Sequence, residues 1–498
     1  MPSTRYEPTW RSLREHATPQ WFRDAKFGIY THWGVYSVPG FGSSGAASNA
    51  TWYPHRMYVD GSPHQRHHLA TYGPLDRFGY KDFIPLFTAP KFDPDEWAEL
   101  FRAAGARFAG PVGEHHDGFS LWATARSEWH AGRLGPKRDV VAALERSIRA
   151  AGMRYMVALH HAEHWWFYPH WRRDYDTGGP DASSLYGERH NLDFADGVPE
   201  VDFERSAGDL MAHWWVQDQP SAAFCDQWLG KTREVIDRFN PDLLWFDFGI
   251  NWIRERSLLD LLAYYYNRAV DWGREVAVTY KHHHLVPGSA VVDLELGRFA
   301  GLTYHDWLTD TSIDAQGMWA YVEGVPFKTA AQIVHNLVDN VAKNGYLLLN
   351  VGPRADGSIP EEAQEVLRGI GRWLQVAGEA IFDTTPWKLF GEGPNTVTGG
   401  DRISDRISER RSTISYTGDD VRYTCKGNAL YAICLGRTAG EVILRDAAEY
   451  LHPGEVAAVS ALGSDEPLAF EQTRRELRIR APRQAPADEA VAFRITRR

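Results

Sequence analysis

Acidic, basic and imidazole side chains recur in this chain directly after short apolar runs. His32 follows the run 27–30, and Glu114, His115, His116 and Asp117 follow a small and apolar stretch that starts at 107. His160 and His161 follow 153–159, Asp247 closes Leu-Leu-Trp-Phe-Asp-Phe-Gly at 243–249, Lys281 follows 275–280, and Glu295 comes just after the run 291–294 around Asp293. A carboxylate does not end an apolar strand for packing reasons, because burying an unpaired charge is costly. Taken alone, Asp247 reads equally well as a helix cap or the start of a turn. Six such placements at corresponding strand ends point to one shared site instead.

Two reaction classes use this inventory. Retaining glycoside hydrolysis needs a nucleophilic carboxylate and a second carboxyl that first donates and then removes a proton, about 5–5.5 Å away. Asp247 and Glu295 lie on different expected strands and could converge, while histidines with Trp52 and Trp245 gripped sugar hydroxyls and faces. A metal-dependent hydrolase would take imidazoles and carboxylates as ligands, from Glu114–Asp117 or from His282–His284. Adjacent residues on a strand point to opposite sides, so His115 and His116 do not suit one ion. The Glu114–Asp117 cluster has no HxH or HExxH spacing either, and the histidine triplet reads as a solvated loop. A binding module without turnover is the third reading, with the two carboxylates holding hydroxyls only.

The elements that must position these groups alternate. Asp93-Pro94-Asp95-Glu96 is a strong helix start, with a cap, a first-turn proline and acids at the positive end of the dipole. Trp97, Leu100, Phe101 and Ala104 then share one face, and Gly105 stops the helix. Further helices are expected at 140–151, 222–239, 258–269, 328–343 and 360–376, interleaved with strands at 153–159, 243–249, 275–280, 291–294, 308–313 and 346–351. About eight strands alternating with helices make a parallel (β/α)₈-like barrel, whose catalytic rim is the C-terminal end of its strands. Residues 35–80 show no periodicity and read as a long irregular excursion over the active face carrying Trp52 and Tyr53. Residues 165–205 also read as irregular. Beyond Pro386 the texture changes to short β-prone runs at 429–434, 442–444, 477–479 and 490–495. This gives a catalytic barrel over 1–387 and a small all-β sandwich over 388–498.

A chain of 498 residues has room for both. Its net charge of −11 argues against nucleic acid or an anionic membrane as main partner. Three cysteines, at 225, 425 and 434, form no disulfide framework or CxxC pair. No apolar leader or spanning run occurs, so a cytoplasmic setting is expected, although removal of a leader would leave the same sequence. A homo-oligomer is left open.

Taken together, WFRDAKFGIYTHWGVYSVPG, WYPHRMY, the stretch from FGYKDF through AAGARF, EHHDGFSLW, LLWFDFG, DLELGR, WLTDTSID and LLLNVGPRADGSIP resemble the α-L-fucosidases of glycoside hydrolase family 29. The resemblance spans roughly residues 21–387. It implies a (β/α)₈-like barrel with a C-terminal β-sandwich, retention of configuration, no cofactor, and a fucosylated oligosaccharide or glycoconjugate as substrate. By position, Asp247 resembles the nucleophile and Glu295 the acid/base, with Glu114 the next candidate. His32, His115 and His116 resemble the ligands of sugar hydroxyls. Trp52, Trp245 and Trp319 resemble the aromatic walls, Trp319 facing the C6 methyl. Lys281 stands where some members carry an arginine beside the nucleophile, and a cation there would hold Asp247 ionised. The chain departs from the pattern at Thr51, where some relatives have an acid, at Leu296, where arginine is common, and at Ala320, where glycine is common. A retaining glycosidase for a related sugar such as α-L-galactose is the alternative.

Overall fold

The computed structural model describes residues 5–43, 49–168, 170, 174–178, 185–188, 219–395, 415–438 and 440–498, and the backbone of 406–408. Eight parallel strands close into a barrel: β1 (Phe27–Thr31), β2 (Phe108–Glu114), β3 (Arg154–Leu159), β4 (Leu243–Phe246), β5 (Ala277–Lys281), β6 (Val291–Asp293), β8 (Trp307–Ser312) and β9 (Gly345–Val351), with β9 pairing back onto β1. These strands are apolar on both faces because each is covered twice. Phe108, Met156, Leu243, Trp245, Leu308 and Leu348 fill the barrel interior, while Ile29, Val157, Leu244, Val278 and Leu347 pack outward in the larger core. Gly28 is required there: a Cβ would sit 2.2 Å from the Phe108 ring.

The crossovers follow the expected helices. In Pro94–Ala103, Asp93 accepts from the amides of Asp95 and Glu96, and Trp97, Ala98 and Phe101 are buried. Ala330–Ala342 carries a capping box from Thr329 and Gln332 and buries Ile333, Val334, Leu337, Val338 and Val341. Two crossovers differ from the expected alternation. No helix joins β5 to β6, and β6 reaches β8 through a turn and an extra short strand, β7 (Gly297–Phe299). No helix among the described residues is long and apolar enough to cross a membrane.

The excursion at 35–80 is more regular than its sequence suggests. It holds short helices, among them Ala50–Trp52, Tyr53–Arg56 and Pro63–Thr71. Pro63–Thr71 hides from periodicity because its buried residues are polar: His64, Gln65 and His68. Most of the stretch 165–205 lies outside the described residues.

The C-terminal region contains β10 (Thr385–Glu392), β11 (Arg406–Ser408), β12 (Val421–Lys426), β13 (Ala429–Cys434), β14 (Glu441–Leu444), β15 (Val456–Ala461), β16 (Phe470–Gln472), β17 (Leu477–Arg480) and β18 (Val491–Arg497). A five-stranded antiparallel sheet ordered β10-β12-β13-β18-β15 faces a three-stranded one ordered β14-β17-β16. Trp387, Leu430, Val442, Leu444, Leu477 and Phe493 form their common core. One strand leaves this region: β11 pairs antiparallel with β7 of the barrel half. Buried Asp339, on the helix Ala330–Ala342, ties the halves again. It accepts from Arg422 Nε at 2.6 Å and Lys343 Nζ at 2.7 Å, with Arg298 Nε at 3.4 Å.

Candidate active site

The site is built on the C-terminal ends of the barrel strands. Asp247 follows β4 directly, and its side chain is mostly buried. His160, after β3, places Nδ1 at 2.9 Å from Asp247 Oδ2, and His116, after β2, places Nε2 at 3.4 Å from the same oxygen. Burial alone would raise the Asp247 carboxyl. His160 and His116, with Lys281 behind them, hold it well below the usual range, so it is ionised. Both contacts fall on one oxygen, so neither imidazole engages Oδ1.

Further imidazoles flank this carboxylate. His32 donates from Nδ1 to Asn350 Oδ1 at 2.8 Å, and Asn350 in turn donates to the Trp319 carbonyl at 2.6 Å and to Ser312 Oγ at 3.0 Å. His115 stacks on His160 with ring centres 4.7 Å apart. Burial, reinforced by the neighbouring imidazoles, depresses His32 and His115 well below the ordinary histidine value. His115 Nδ1 and His160 Nε2 are buried with no hydrogen-bond partner among the described residues. A bound polyol would satisfy such atoms. Trp52 stands edge-on to His116, with centres 5.6 Å apart, and the Trp319 ring lies 5.3 Å from His32. The backbone of Ala50 donates to the carbonyl of Met318 at 3.2 Å, so the excursion and the Trp319 segment meet across the mouth.

Beneath these side chains lies a buried ionic frame. Lys281, the last residue of β5, places Nζ 2.6 Å from Asp310, 3.2 Å from Asp293 and 3.6 Å from Glu295. Burial would depress this ammonium, but Asp293, Asp310, Glu295 and Asp247 together raise it above its ordinary value. Burial and then Asp310 push Asp293 up, while Lys281 and the Trp245 indole N–H oppose the rise. Trp245 is a fully buried floor: it donates to Asp293 Oδ2 at 2.6 Å and lies under Lys281 Nζ at 4.5 Å. The cation expected at Asp247 therefore serves mainly three other carboxylates, and imidazoles hold Asp247.

Glu295 sits on the turn between β6 and β7, partly exposed. That turn is fixed to β8, since Leu294 N donates to Leu308 O and Leu296 N to Asp310 O, both at 2.9 Å. All nine sequence-derived residues, His32, Trp52, His115, His116, Trp245, Asp247, Lys281, Glu295 and Trp319, thus converge on this end of the barrel. Glu114 does not: it is buried against Lys231 Nζ at 2.7 Å on the outer layer. The triplet His282–His284 is not a solvated loop throughout. His283 is exposed, but His282 lies against the Phe248 ring at 5.2 Å and His284 is half-buried beside it.

Sequence reasoning placed His160 on the shared rim without giving it a role, noted Asp293 and Asn350 at strand ends without assigning them to the site, and missed Glu163. Glu163 is buried on the short turn after β3, with Oε2 3.5 Å from His116 Nε2. The available signal was a lone acid four residues past the end of β3, just beyond His160-His161. Among the described residues two trios have ligand atoms close enough to hold a metal ion, His32-His115-His160 and His116-His160-Asp247, and His115 and His116 fall in different ones.

The chain matches the family described as alpha-L-fucosidase over residues 1–379. It is 30% identical to the tissue alpha-L-fucosidase of Rattus norvegicus over 86% of this chain and 79% of the relative, and 30% identical to that of Homo sapiens over 87% and 79%. Its structure resembles the Thermotoga maritima alpha-fucosidase solved with a mechanism-based inhibitor, with a TM-score of 0.76, 29% identity, and coverage of 99% of this chain and 100% of that one.

Proposed function

The chain belongs to the α-L-fucosidase family of glycoside hydrolases, and on that premise we propose that it is a retaining, exo-acting enzyme that removes terminal α-L-fucosyl residues from oligosaccharides or glycoconjugates. The observation that carries this reading is the buried, ionised Asp247 held through one oxygen by His160 and His116. Its free Oδ1 attacks the anomeric carbon while Glu295 gives a proton to the departing glycosidic oxygen, forming a glycosyl ester. Glu295 then takes a proton from water, whose oxygen attacks the same carbon and releases Asp247. Two inversions give net retention. His32, His115 and His160 accept or donate to the sugar hydroxyls, and Trp319 and Trp52 wall the pocket. A pocket lined this closely by buried groups suits a single terminal sugar.

Asp247→Ala should lower kcat on an aryl α-L-fucoside by roughly 10⁴-fold or more, and proton NMR of the wild-type reaction should show the α-anomer first. Near-native turnover in the variant, or the β-anomer as first product, would end this assignment. The trios close enough to bind a metal make a chelator control worthwhile: sustained loss of activity in EDTA that zinc restores would favour metal-assisted hydrolysis instead.

A further inference from the structure

His116 is gripped on both nitrogens. Nδ1 lies 2.8 Å from the His160 carbonyl oxygen, which can only accept, so Nδ1 carries a hydrogen. Nε2 therefore faces both carboxylates, Asp247 Oδ2 at 3.4 Å and Glu163 Oε2 at 3.5 Å. A bare lone pair between two carboxylates is electrostatically untenable when all three groups are buried. One proton must reside among them, either on His116 Nε2 or on Glu163. We infer that Glu163 is the third member of a proton-sharing group with His116 and Asp247, a positioning residue that keeps the nucleophile anionic, oriented and charge-compensated through both steps of the reaction.

The surroundings fit this role. Gly249, two residues past Asp247, has φ +95°, and a Cβ there would lie 2.4 Å from Glu163 Cγ, so the missing side chain is the space Glu163 occupies. Burial would depress His116, but Glu163 first and then Asp247 push it above the ordinary histidine value. Burial pushes Glu163 up to about 7 despite His116, with Asp247 and Glu295 adding to the rise. The other titratable groups facing His116 are the imidazoles His32, His115, His160 and His164, all depressed, and Asp117, raised to about 7 by burial. Neither the imidazoles nor Asp117 replaces the carboxylate of Glu163. When Asp247 becomes an ester its charge vanishes, and an imidazolium facing it would lose its counter-ion. The proton can then pass from His116 Nε2 to Glu163 Oε2, leaving a neutral pair, and it returns when the ester is hydrolysed.

This inference rests on Asp247 being the nucleophile, and the test separates the two. Glu163→Gln is compared with wild type for kcat/KM across pH on α-L-fucosyl fluoride, whose departure needs no general acid. Loss of one carboxylate within 4 Å weakens the hold on the His116 proton, so the alkaline limb should move down by about one to three pH units. An unmoved limb, or a loss spread evenly over pH, overturns the inference while leaving the Asp247→Ala result to judge the nucleophile. If the glutamine variant does not fold, Glu163→Asp, which keeps the charge but retracts it, is read the same way: a downward shift supports the inference and an unmoved limb overturns it.

Discussion

Replacing Lys281 with methionine removes the charge at the centre of the buried frame while keeping most of the stem's volume. In the native chain Nζ lies 2.6 Å from Asp310 and 3.2 Å from Asp293. At an effective dielectric near 20, each of these contacts is worth roughly 5–6 kcal/mol before desolvation. Desolvating the ammonium takes back several kcal/mol, and breaking such a pair on one side leaves a net loss of about 3–5 kcal/mol. The pH dependence has a definite sign. Lys281 is raised, so its stabilisation is complete below its unfolded pKa of about 10.4 and does not vary in the neutral range. Asp293 is also raised, and Lys281 is what restrains it. Without the lysine Asp293 rises further, and a carboxyl raised in the folded state contributes stability that grows as pH falls through its folded pKa. The deficit should therefore be largest near pH 8 and narrow toward about pH 5. Calorimetry should show a melting temperature lower by roughly 3–6 °C near pH 8. Activity should fall more on fucosides with poor leaving groups than on activated aryl fucosides, because Glu295 loses its cation at 3.6 Å. An unchanged melting temperature near pH 8, or a deficit that widens in acid, would refute the reasoning.

Asp339→Asn should cost about 3–5 kcal/mol near neutral pH, because it leaves Arg422 and Lys343 buried without their counter-charge. Lys343, Arg422 and Arg298 hold Asp339 below the usual carboxylate range despite burial, so its contribution is present above about pH 4 and lost as pH falls further; thermal melts of the two proteins should converge in acid, and a constant gap would count against the assignment. An aryl α-L-galactoside should be a poorer substrate than the matching fucoside by about 10- to 100-fold in kcat/KM. Its extra C6 hydroxyl would face the buried Trp319 ring and lose hydrogen bonds worth about 1–3 kcal/mol; equal kcat/KM for the two would remove Trp319 from that role.

The barrel was legible because its strands are covered on both faces, so runs such as 243–246 and 346–351 carry unbroken apolar sequence. The rim was legible because chemistry gathers where those runs stop. Within 282–306 the strand at 291–294 was legible, but the rest of the segment was not, for a physical reason. It has no helix to impose a 3.6-residue period, and its strand β7 finds its partner, β11, far along the chain. Pro63–Thr71 was hidden because its buried face is made of histidine and glutamine. Lys281 was found beside Asp247, but its place at a strand end does not show that Asp293 and Asp310 also converge on it. Glu163 was missed because its importance comes from two distant residues, His116 and Gly249, that only the closed barrel brings to it.

The C-terminal sheets bear on the same rim. Glu295 sits on a turn with one side fixed to β8 by backbone hydrogen bonds, and the chain then continues directly into β7. A three-residue strand on its own has little to hold it. Here β7 has β11 as its partner, and Arg298 at its centre reaches Asp339, which also holds Arg422 of β12. The turn that carries the proposed acid/base is thus braced from the barrel on one side and from the sheet region on the other. The absence of a crossover helix between β6 and β8 makes this bracing possible, because a helix there would occupy the face that β11 and Arg422 use. The sequence boundary near 388 marks a change of texture, but the structural unit that positions Glu295 runs across it.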